Sequence, residues 1–193
     1  MSPDLVKLNP KELRFSKLIA ITRMKESRKA GIYDRSATQQ MGGGKLIWDF
    51  MGACGEIALA KWLNIEYTAD VNTFHSKRDV GLFEVRTAGG DNYSLILRDS
   101  DRDIKDKPFV LVLQRCPGIF RIGGWLYGKD GLKSEYLNDF GISKRGPAYK
   151  IPQRMLNKDF SQFDKDIEKC NAPFKIKLSE VIRSYRYEEV ELY

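Results

Sequence analysis

The 193-residue chain is 42% hydrophobic and 31% charged, a composition typical of a globular protein with a core of its own. Its formal net charge of +7 and its pI of about 9.2 favour a polyanionic partner, with nucleic acid first and an acidic membrane surface as the alternative. No apolar stretch approaches the roughly 20 residues of a membrane-spanning helix, and the first residues lack the apolar run of a signal peptide.

Three cysteines, Cys54, Cys116 and Cys170, are odd in number and widely spaced. This pattern fits neither a disulfide framework nor a zinc site, so we expect the protein to be in the reducing environment of the cytoplasm. The sequence contains no internal repeat, low-complexity run or clear linker. Residues 1–193 are therefore expected to form a single domain.

Residues 10–29 are predicted to form the first helix, with Leu13, Ile21 and Met24 on its apolar side. Its basic side consists of Arg14, Lys17, Arg23, Lys25, Arg28 and Lys29. Such a row of like charges either contacts phosphates or forms a solvated helix face, and the sequence leaves both alternatives open.

Residues 50–63 contain almost only apolar or small side chains, which predicts a helix that is buried on all sides. Glu56 is the only acid in this helix. Because burial of an unpaired carboxylate is strongly unfavourable, Glu56 requires a cation, a metal ion or a proton.

A strand is predicted at residues 82–87 by β-propensity and by the alternation of apolar and polar side chains. Side chains alternate faces along a strand, so Glu84 and Arg86 share one face. Phe83 and Val85 point to the opposite face, towards the expected core.

Asp79 precedes this strand, and a turn at Gly81 would bring its carboxylate back towards Glu84. Together with Glu56, these two acids suit a hard divalent cation such as Mg²⁺, which prefers oxygen ligands and keeps several waters. A cation of this kind can activate a water molecule and stabilise charge that develops on a phosphate. The three acids therefore predict a phosphate-directed metal site.

This arrangement resembles the active site of the PD-(D/E)XK nuclease superfamily, the restriction-endonuclease-like phosphodiesterases. Asp79 matches the first acid of the motif, Glu84 the second acid and Arg86 the lysine position. Glu56 is similar to the extra acid that these enzymes often carry on the preceding helix. The resemblance covers about residues 48–127. It implies an α/β fold with a mixed central sheet flanked by helices, which here has helical additions at both ends.

The resemblance also implies a function, the hydrolysis of phosphodiester bonds in DNA with Mg²⁺ or Mn²⁺. Asp79, Glu84 and the backbone carbonyl of Val85 would hold the ion, and Glu56 would complete its shell directly or through water. Arg86 departs from the family pattern, because arginine stays protonated and cannot serve as a base. Lys61 is a poor substitute for the missing lysine, since five helical residues turn it about 140° away from Glu56. It can still hold a phosphate or stabilise transition-state charge through a bidentate contact.

The departure at Arg86 leaves other interpretations open. One is a nucleic-acid-binding protein that kept the fold and lost catalysis. Another is an interaction protein with no nucleic-acid role, in which Glu84 pairs with Arg86 or Arg78 at the surface and Glu56 is paired internally. A metal-dependent enzyme acting on another phosphate ester is also open, as is a homodimer, whereas a membrane partner is not expected.

Six basic residues are candidates for contact with the DNA backbone. Lys45 ends a glycine-rich loop that lacks the pattern of a phosphate-binding P-loop. Lys77 and Arg78 immediately precede Asp79, where they could meet phosphates of the cleaved strand. The remaining candidates are Arg98, Lys144 and Arg145.

The other elements follow from local patterns. Further strands are predicted at residues 65–68, 93–98, 109–113 and 119–127. The last two form an antiparallel hairpin, because Pro117-Gly118 marks a turn between them. The acid-rich stretch at 99–103 lacks the glycine and final glutamate of a calcium loop and is predicted to be a polar loop. Helices are predicted at 152–156, 159–170 and 178–187.

Overall fold

The computed structural model describes residues 5–31, 44–69, 79–140, 147–167, 174–178 and residue 182. Its helices are α1 (Pro10–Lys29), α2 (Lys45–Leu63) and the short α3 (Gly128–Gly131). Its strands are β1 (Leu5–Lys7), β2 (Tyr67–Ala69), β3 (Glu84–Ala88), β4 (Leu95–Leu97), β5 (Pro108–Cys116), β6 (Ile119–Tyr127), β7 (Leu137–Asn138), β8 (Ala148–Ile151) and β9 (Ile176–Leu178).

A mixed sheet with the strand order β1-β6-β5-β3 lies against helix α2. Strands β1 and β5 are antiparallel to β6, whereas β3 and β5 are parallel, with Glu84 opposite Phe109 and Ala88 opposite Leu113. The predicted class is thus confirmed at the coarse level, because the described chain is α/β with a mixed sheet and flanking helices. The parallel register places Glu84 at the same end of the sheet as the start of β5.

Helix α1 has the predicted bounds, and its start is fixed by local hydrogen bonds. Asn9 accepts a hydrogen bond from the backbone N–H of Glu12, and the Glu12 carboxylate accepts one from the N–H of Asn9. This capping box satisfies two donors that a helix N-terminus leaves unpaired. The helix then packs along α2, which begins at Lys45, five residues earlier than predicted.

Helix α2 is buried on all sides over residues 53–60, as predicted. A Cβ atom placed on Gly55 would lie 1.9 Å from Oγ1 of Thr87 on strand β3. No side chain larger than hydrogen fits between the two elements at this point, so the glycine allows the helix backbone to touch the strand. This contact places Glu56, the next residue of the helix, beside the sheet.

The turn before β3 forms as predicted. Gly81 has a φ of +55°, in the left-handed region that favours glycine, and Val80 and Phe83 exchange backbone hydrogen bonds around it. Strand β3 itself spans Glu84–Ala88, two residues later at its start than the predicted 82–87. Phe83 and Val85 lie in the main hydrophobic cluster, which confirms the predicted alternation of faces.

The hairpin of β5 and β6 is also confirmed, with β6 covering residues 119–127. Its turn contains Gly118 at a φ of +76°. The apolar run at 109–113 is fully buried between α2 and a second cluster that includes residues of β4 and β8. Burial on both faces explains why the run contains no polar residue.

Two predictions for polar segments were wrong. The acid-rich stretch predicted as a loop forms a 3₁₀ helix at Asp99–Ile104, because Asp101 turns back to accept a hydrogen bond from the N–H of Arg98. The helix predicted at 159–170 is only a 3₁₀ turn at Ser161–Phe163 within the described residues up to 167. There Phe160 and Phe163 pack edge-on against Trp125, so aromatic packing fixes the chain without a longer helix.

The remaining predicted segments agree in part. The helix predicted at 152–156 is a 3₁₀ turn at Gln153–Met155. The strands predicted at 65–68 and 93–98 are the shorter β2 and β4. Strand β2 pairs in parallel with β9, and β4 lies in a sheet of the order β4-β8-β7. Most of the helix predicted at 178–187 lies outside the described residues.

No helix among the described residues combines the length and the apolar character needed to cross a membrane. Cys54 is buried and Cys116 is exposed, and both are free thiols. Cys170 lies outside the described residues.

Candidate active site

Asp79 and Glu84 are brought together by the turn at Gly81. Oδ2 of Asp79 accepts a hydrogen bond of 2.8 Å from the backbone N–H of Val85, so the acid before the turn is tied to the strand after it. Glu84 is buried with 7% of its surface exposed, although its side chain lies on the polar face of β3. The local sequence therefore folds two carboxylates onto the first residues of β3, as predicted.

The electrostatics of Asp79 show that it lies near both other acids. Burial raises the pKa of Asp79 from 3.8 to about 7, and the negative charges of Glu56 and Glu84 raise it further than the Val85 hydrogen bond lowers it. A carboxyl group with a pKa of about 7 is about half protonated at neutral pH. The three acids thus occupy one electrostatic neighbourhood.

The carboxylate oxygens of this site are only partly engaged. Within the described chain, neither Oδ1 of Asp79 nor Oε2 of Glu84 receives a hydrogen bond. No group of three His, Cys, Asp or Glu side chains among the described residues is arranged to hold a metal ion by itself. Two carboxylates with vacant oxygens do suit Mg²⁺, since this ion is commonly held by one or two carboxylates and keeps several waters.

Glu56 has a cation, and that cation is Arg23 of helix α1. The guanidinium donates two hydrogen bonds, from Nη1 to Oε1 at 2.8 Å and from Nη2 to Oε2 at 2.9 Å. The Tyr67 hydroxyl donates a third, of 2.5 Å, to Oε2, and burial together with the Glu56 charge raises the pKa of Tyr67 well above its ordinary value. This is the internal ion pair that the sequence left open as an alternative for Glu56.

The ion pair corrects two expectations. Arg23 does not belong to a solvated or phosphate-binding face of α1, because its side chain is only 20% exposed and points at Glu56. With both oxygens of Glu56 engaged, a direct bond from Glu56 to a metal ion would require the Arg23 contact to open. Besides burial, the negative charge of Glu56 raises the pKa of Asp79.

Arg86 is held away from Glu84 by three contacts. Nη2 donates to Oδ1 of Asp101 at 2.9 Å, and Nη1 donates to the carbonyl of Val85 at 3.2 Å. The guanidinium also lies over the ring of Phe109, 5.0 Å from its centroid. Asp101 is itself buried, so this arginine ties the 3₁₀ helix at 99–104 to strand β3. The surface pair of Glu84 with Arg86 considered from the sequence does not form.

Lys107 is the cation that contacts Glu84, and sequence reasoning missed it. Its Nζ lies 2.8 Å from Oε1 of Glu84. Lys107 directly precedes β5, and the parallel register of β3 and β5 brings it to the end of the sheet where Glu84 lies. A signal was present, because a lysine at the start of a buried apolar run must lie where that strand reaches the surface.

Most of the predicted DNA-contacting residues lie outside the described residues. These are Lys77, Arg78, Lys144 and Arg145. Lys45 begins helix α2, with nothing described of its side chain. Arg98 precedes the 3₁₀ helix and is partly buried. Lys61, the poor substitute for the family lysine, contacts both oxygens of Glu12.

Comparisons with models of known protein families, with characterised proteins and with solved structures found no match to this chain.

Proposed function

We propose that this protein is a metal-dependent nuclease that hydrolyses phosphodiester bonds in DNA, on a restriction-endonuclease-like core. The observation that carries the proposal is the pairing of Asp79 and Glu84. These acids lie at one end of β3, and, besides burial, the charge of Glu84 helps to raise the pKa of Asp79. Among the described residues, each acid keeps one carboxylate oxygen without a hydrogen bond. The net charge of +7 supports a polyanionic substrate.

The residues of this site would have different roles. Oδ1 of Asp79 and Oε2 of Glu84 would hold Mg²⁺ or Mn²⁺. The carbonyl of Val85, which accepts a hydrogen bond from Arg86, would be a further ligand by analogy with the family. The ion supplies an activated water and a counter-charge for the phosphate when it is bound. Asp79 would release its proton to become a ligand, and the Arg23 guanidinium would offset the Glu56 charge that opposes this release.

The experiment is a cleavage assay of the purified protein on duplex, single-stranded and branched DNA. Each substrate is incubated with Mg²⁺, with Mn²⁺ and with a chelator, and the Asp79→Asn variant serves as the matched control because it keeps the hydrogen bond to Val85. We expect cleavage that requires the metal and is lost in the variant. Retained cleavage by Asp79→Asn, or cleavage in the chelator, would contradict the proposal.

A second candidate is a nucleic-acid-binding protein that has this fold without catalysis. The observation that favours it is that two proposed site residues are already paired within the protein. Glu56 is bound by Arg23, and Arg86 is bound by Asp101. This candidate predicts DNA binding with a steep salt dependence and no cleavage in any metal. The same assay, combined with binding titrations at several salt concentrations, separates the two candidates.

A further inference from the structure

We propose that Lys107, rather than Arg86, is the side chain of this site that contacts the attacked phosphate, and that a divalent cation at Glu84 releases it for this contact. The inference rests on the proposed function for the identity of the ligand, a DNA phosphate beside a bound metal ion. It concerns a residue that lies outside residues 79–87 and directly precedes strand β5.

The backbone of Lys107 is fixed, while its side chain is free to turn. The backbone N–H of Lys107 donates to the carbonyl of Ile104 at 2.9 Å, and its carbonyl accepts from Gly128 at 3.0 Å. The side chain has one described polar contact, with Oε1 of Glu84, and is 25% exposed. A lysine ammonium on a four-carbon stem has three donors, so it can exchange one anionic partner for another without any movement of the backbone.

Arg86 lacks this freedom. Its guanidinium is committed to Asp101, to the carbonyl of Val85 and to the ring of Phe109. Moving it to a phosphate would leave Asp101, whose side chain is 11% exposed, without its counter-ion. Removing one partner of a buried ion pair is strongly unfavourable. The structure therefore assigns Arg86 to holding the 3₁₀ helix.

The charges at Glu84 explain why the metal would release Lys107. Without a metal ion, the Lys107 ammonium neutralises Glu84 and lies 2.8 Å from its Oε1 atom. The other oxygen of the same carboxylate, Oε2, is the proposed metal ligand. A divalent cation held by Asp79 and Glu84 would neutralise the Glu84 carboxylate and would repel the Lys107 ammonium. Lys107 would then be available to a phosphate at that cation, because its ammonium lies 2.8 Å from Glu84.

Two binding measurements on the full chain test this proposal without relying on catalysis. The first is a Mn²⁺ titration followed by electron paramagnetic resonance, which reports free Mn²⁺. The second is the salt dependence of binding to a synthetic DNA duplex, measured with Ca²⁺ and with a chelator. The variants are Lys107→Met, Lys107→Arg and, as a control with the same loss of charge, Lys129→Met, whose exposed side chain lies 3.6 Å from Asp106.

We expect Lys107→Met to bind Mn²⁺ roughly tenfold more tightly than the wild type, since no ammonium competes at Glu84. In Ca²⁺ its salt slope for DNA should be smaller by roughly one, because one phosphate contact is lost, whereas in chelator the slope should be unchanged. Lys107→Arg should keep the wild-type slope, and Lys129→Met should not change the Mn²⁺ affinity.

Each contrary outcome overturns the assignment. An unchanged or weaker Mn²⁺ affinity of Lys107→Met shows that Lys107 does not compete for Glu84, and an unchanged slope in Ca²⁺ shows that it does not reach a phosphate. If Lys107→Met does not fold, a Lys107→Arg variant with wild-type Mn²⁺ affinity and a reduced slope overturns it equally. If the Lys107 variants meet both binding expectations but the wild-type protein cleaves no DNA, the proposed nuclease function is wrong and Lys107 remains a phosphate contact.

Discussion

Gly55 of helix α2 and Thr87 of strand β3 are in direct contact, since a Cβ atom on the glycine would meet Oγ1 of the threonine at 1.9 Å. The contact sets how closely the helix approaches the sheet. Glu56 follows Gly55 in the chain, and Arg86 precedes Thr87. A change of this spacing therefore moves Glu56 and its partner Arg23 relative to the acids at the start of β3.

Gly55→Ala should destabilise the protein, because overpacking of a buried contact costs about 1–3 kcal/mol or more. Gly52→Ala is the matched control, since a Cβ atom there meets nothing within 4 Å. That variant should be neutral or more stable by up to about 1 kcal/mol, the usual gain of alanine over glycine in a helix. Urea unfolding measures both, and adding Thr87→Ala to Gly55→Ala should recover part of the loss. Equal stability of the two single variants would contradict the contact.

Arg23→Met should lower the free energy of unfolding by roughly 3–5 kcal/mol, because it leaves Glu56 buried without its cation. Adding Glu56→Gln should restore much of this loss by removing the unpaired charge. Arg14→Met changes an exposed arginine on the same helix and should shift stability by no more than about 0.5 kcal/mol. The double-mutant cycle is measured by chemical denaturation, and simple additivity of Arg23→Met and Glu56→Gln would exclude the ion pair.

The stability of the metal-free protein should depend on Asp79 in a defined pH window. The folded protein keeps the Asp79 proton up to a pKa of about 7, whereas the unfolded chain releases it near 3.8. The folded state therefore binds more protons between these values, and the contribution of Asp79 to the free energy of unfolding falls as the pH rises from about 4 to about 7. The fall is at most roughly 4 kcal/mol, at about 1.4 kcal/mol for each unit of pKa.

Asp79→Asn isolates this contribution, because the amide does not titrate and still accepts the Val85 hydrogen bond through its oxygen. The variant should gain stability over the wild type as the pH rises from 5 to 8, which unfolding curves in the presence of a chelator would show. Parallel curves for the two proteins at every pH would mean that Asp79 has an ordinary pKa.

Arg86→Lys tests whether Arg86 contacts the phosphate or holds Asp101. If it holds Asp101, the substitution loses the contact with Phe109 and part of the charged hydrogen bonding, which together contribute roughly 1–3 kcal/mol. Asp101→Asn should produce a similar loss. Single-turnover cleavage by Arg86→Lys should then stay within about tenfold of the wild type. A reduction of roughly 10²–10³ without loss of stability would instead place Arg86 at the transition state.

The sequence predicted those parts of the site that follow from local periodicity. Helix α1, the buried helix, the β5–β6 hairpin and the alternation around Phe83 and Val85 all depend on residues that are close in the chain. The turn at Gly81 belongs to the same class, because its backbone conformation favours glycine. These elements were sufficient to bring Asp79 and Glu84 together.

The partners of the acids could not be predicted, because each comes from a distant segment. Arg23 is 33 positions from Glu56, and Lys107 is 23 positions from Glu84. Their meeting depends on how α1 crosses α2 and on the parallel register of β3 with β5. Composition and periodicity do not encode either relationship, and Arg23 has the same local pattern as the exposed lysines and arginines on its helix.

Strand β1 has a consequence for how the protein is made. Leu5 pairs with Arg121, and Lys7 offers its carbonyl to Lys61 at 2.9 Å, so the first described strand depends on segments synthesised much later. At roughly 5–20 residues per second, the ribosome takes several seconds or more to reach β6 after β1 has emerged. During that time β1 lacks its strand partner, and its brevity and its exposed lysine limit pairing with other nascent chains. The main sheet is therefore complete only after the β5–β6 hairpin has been synthesised and β1 has paired with β6.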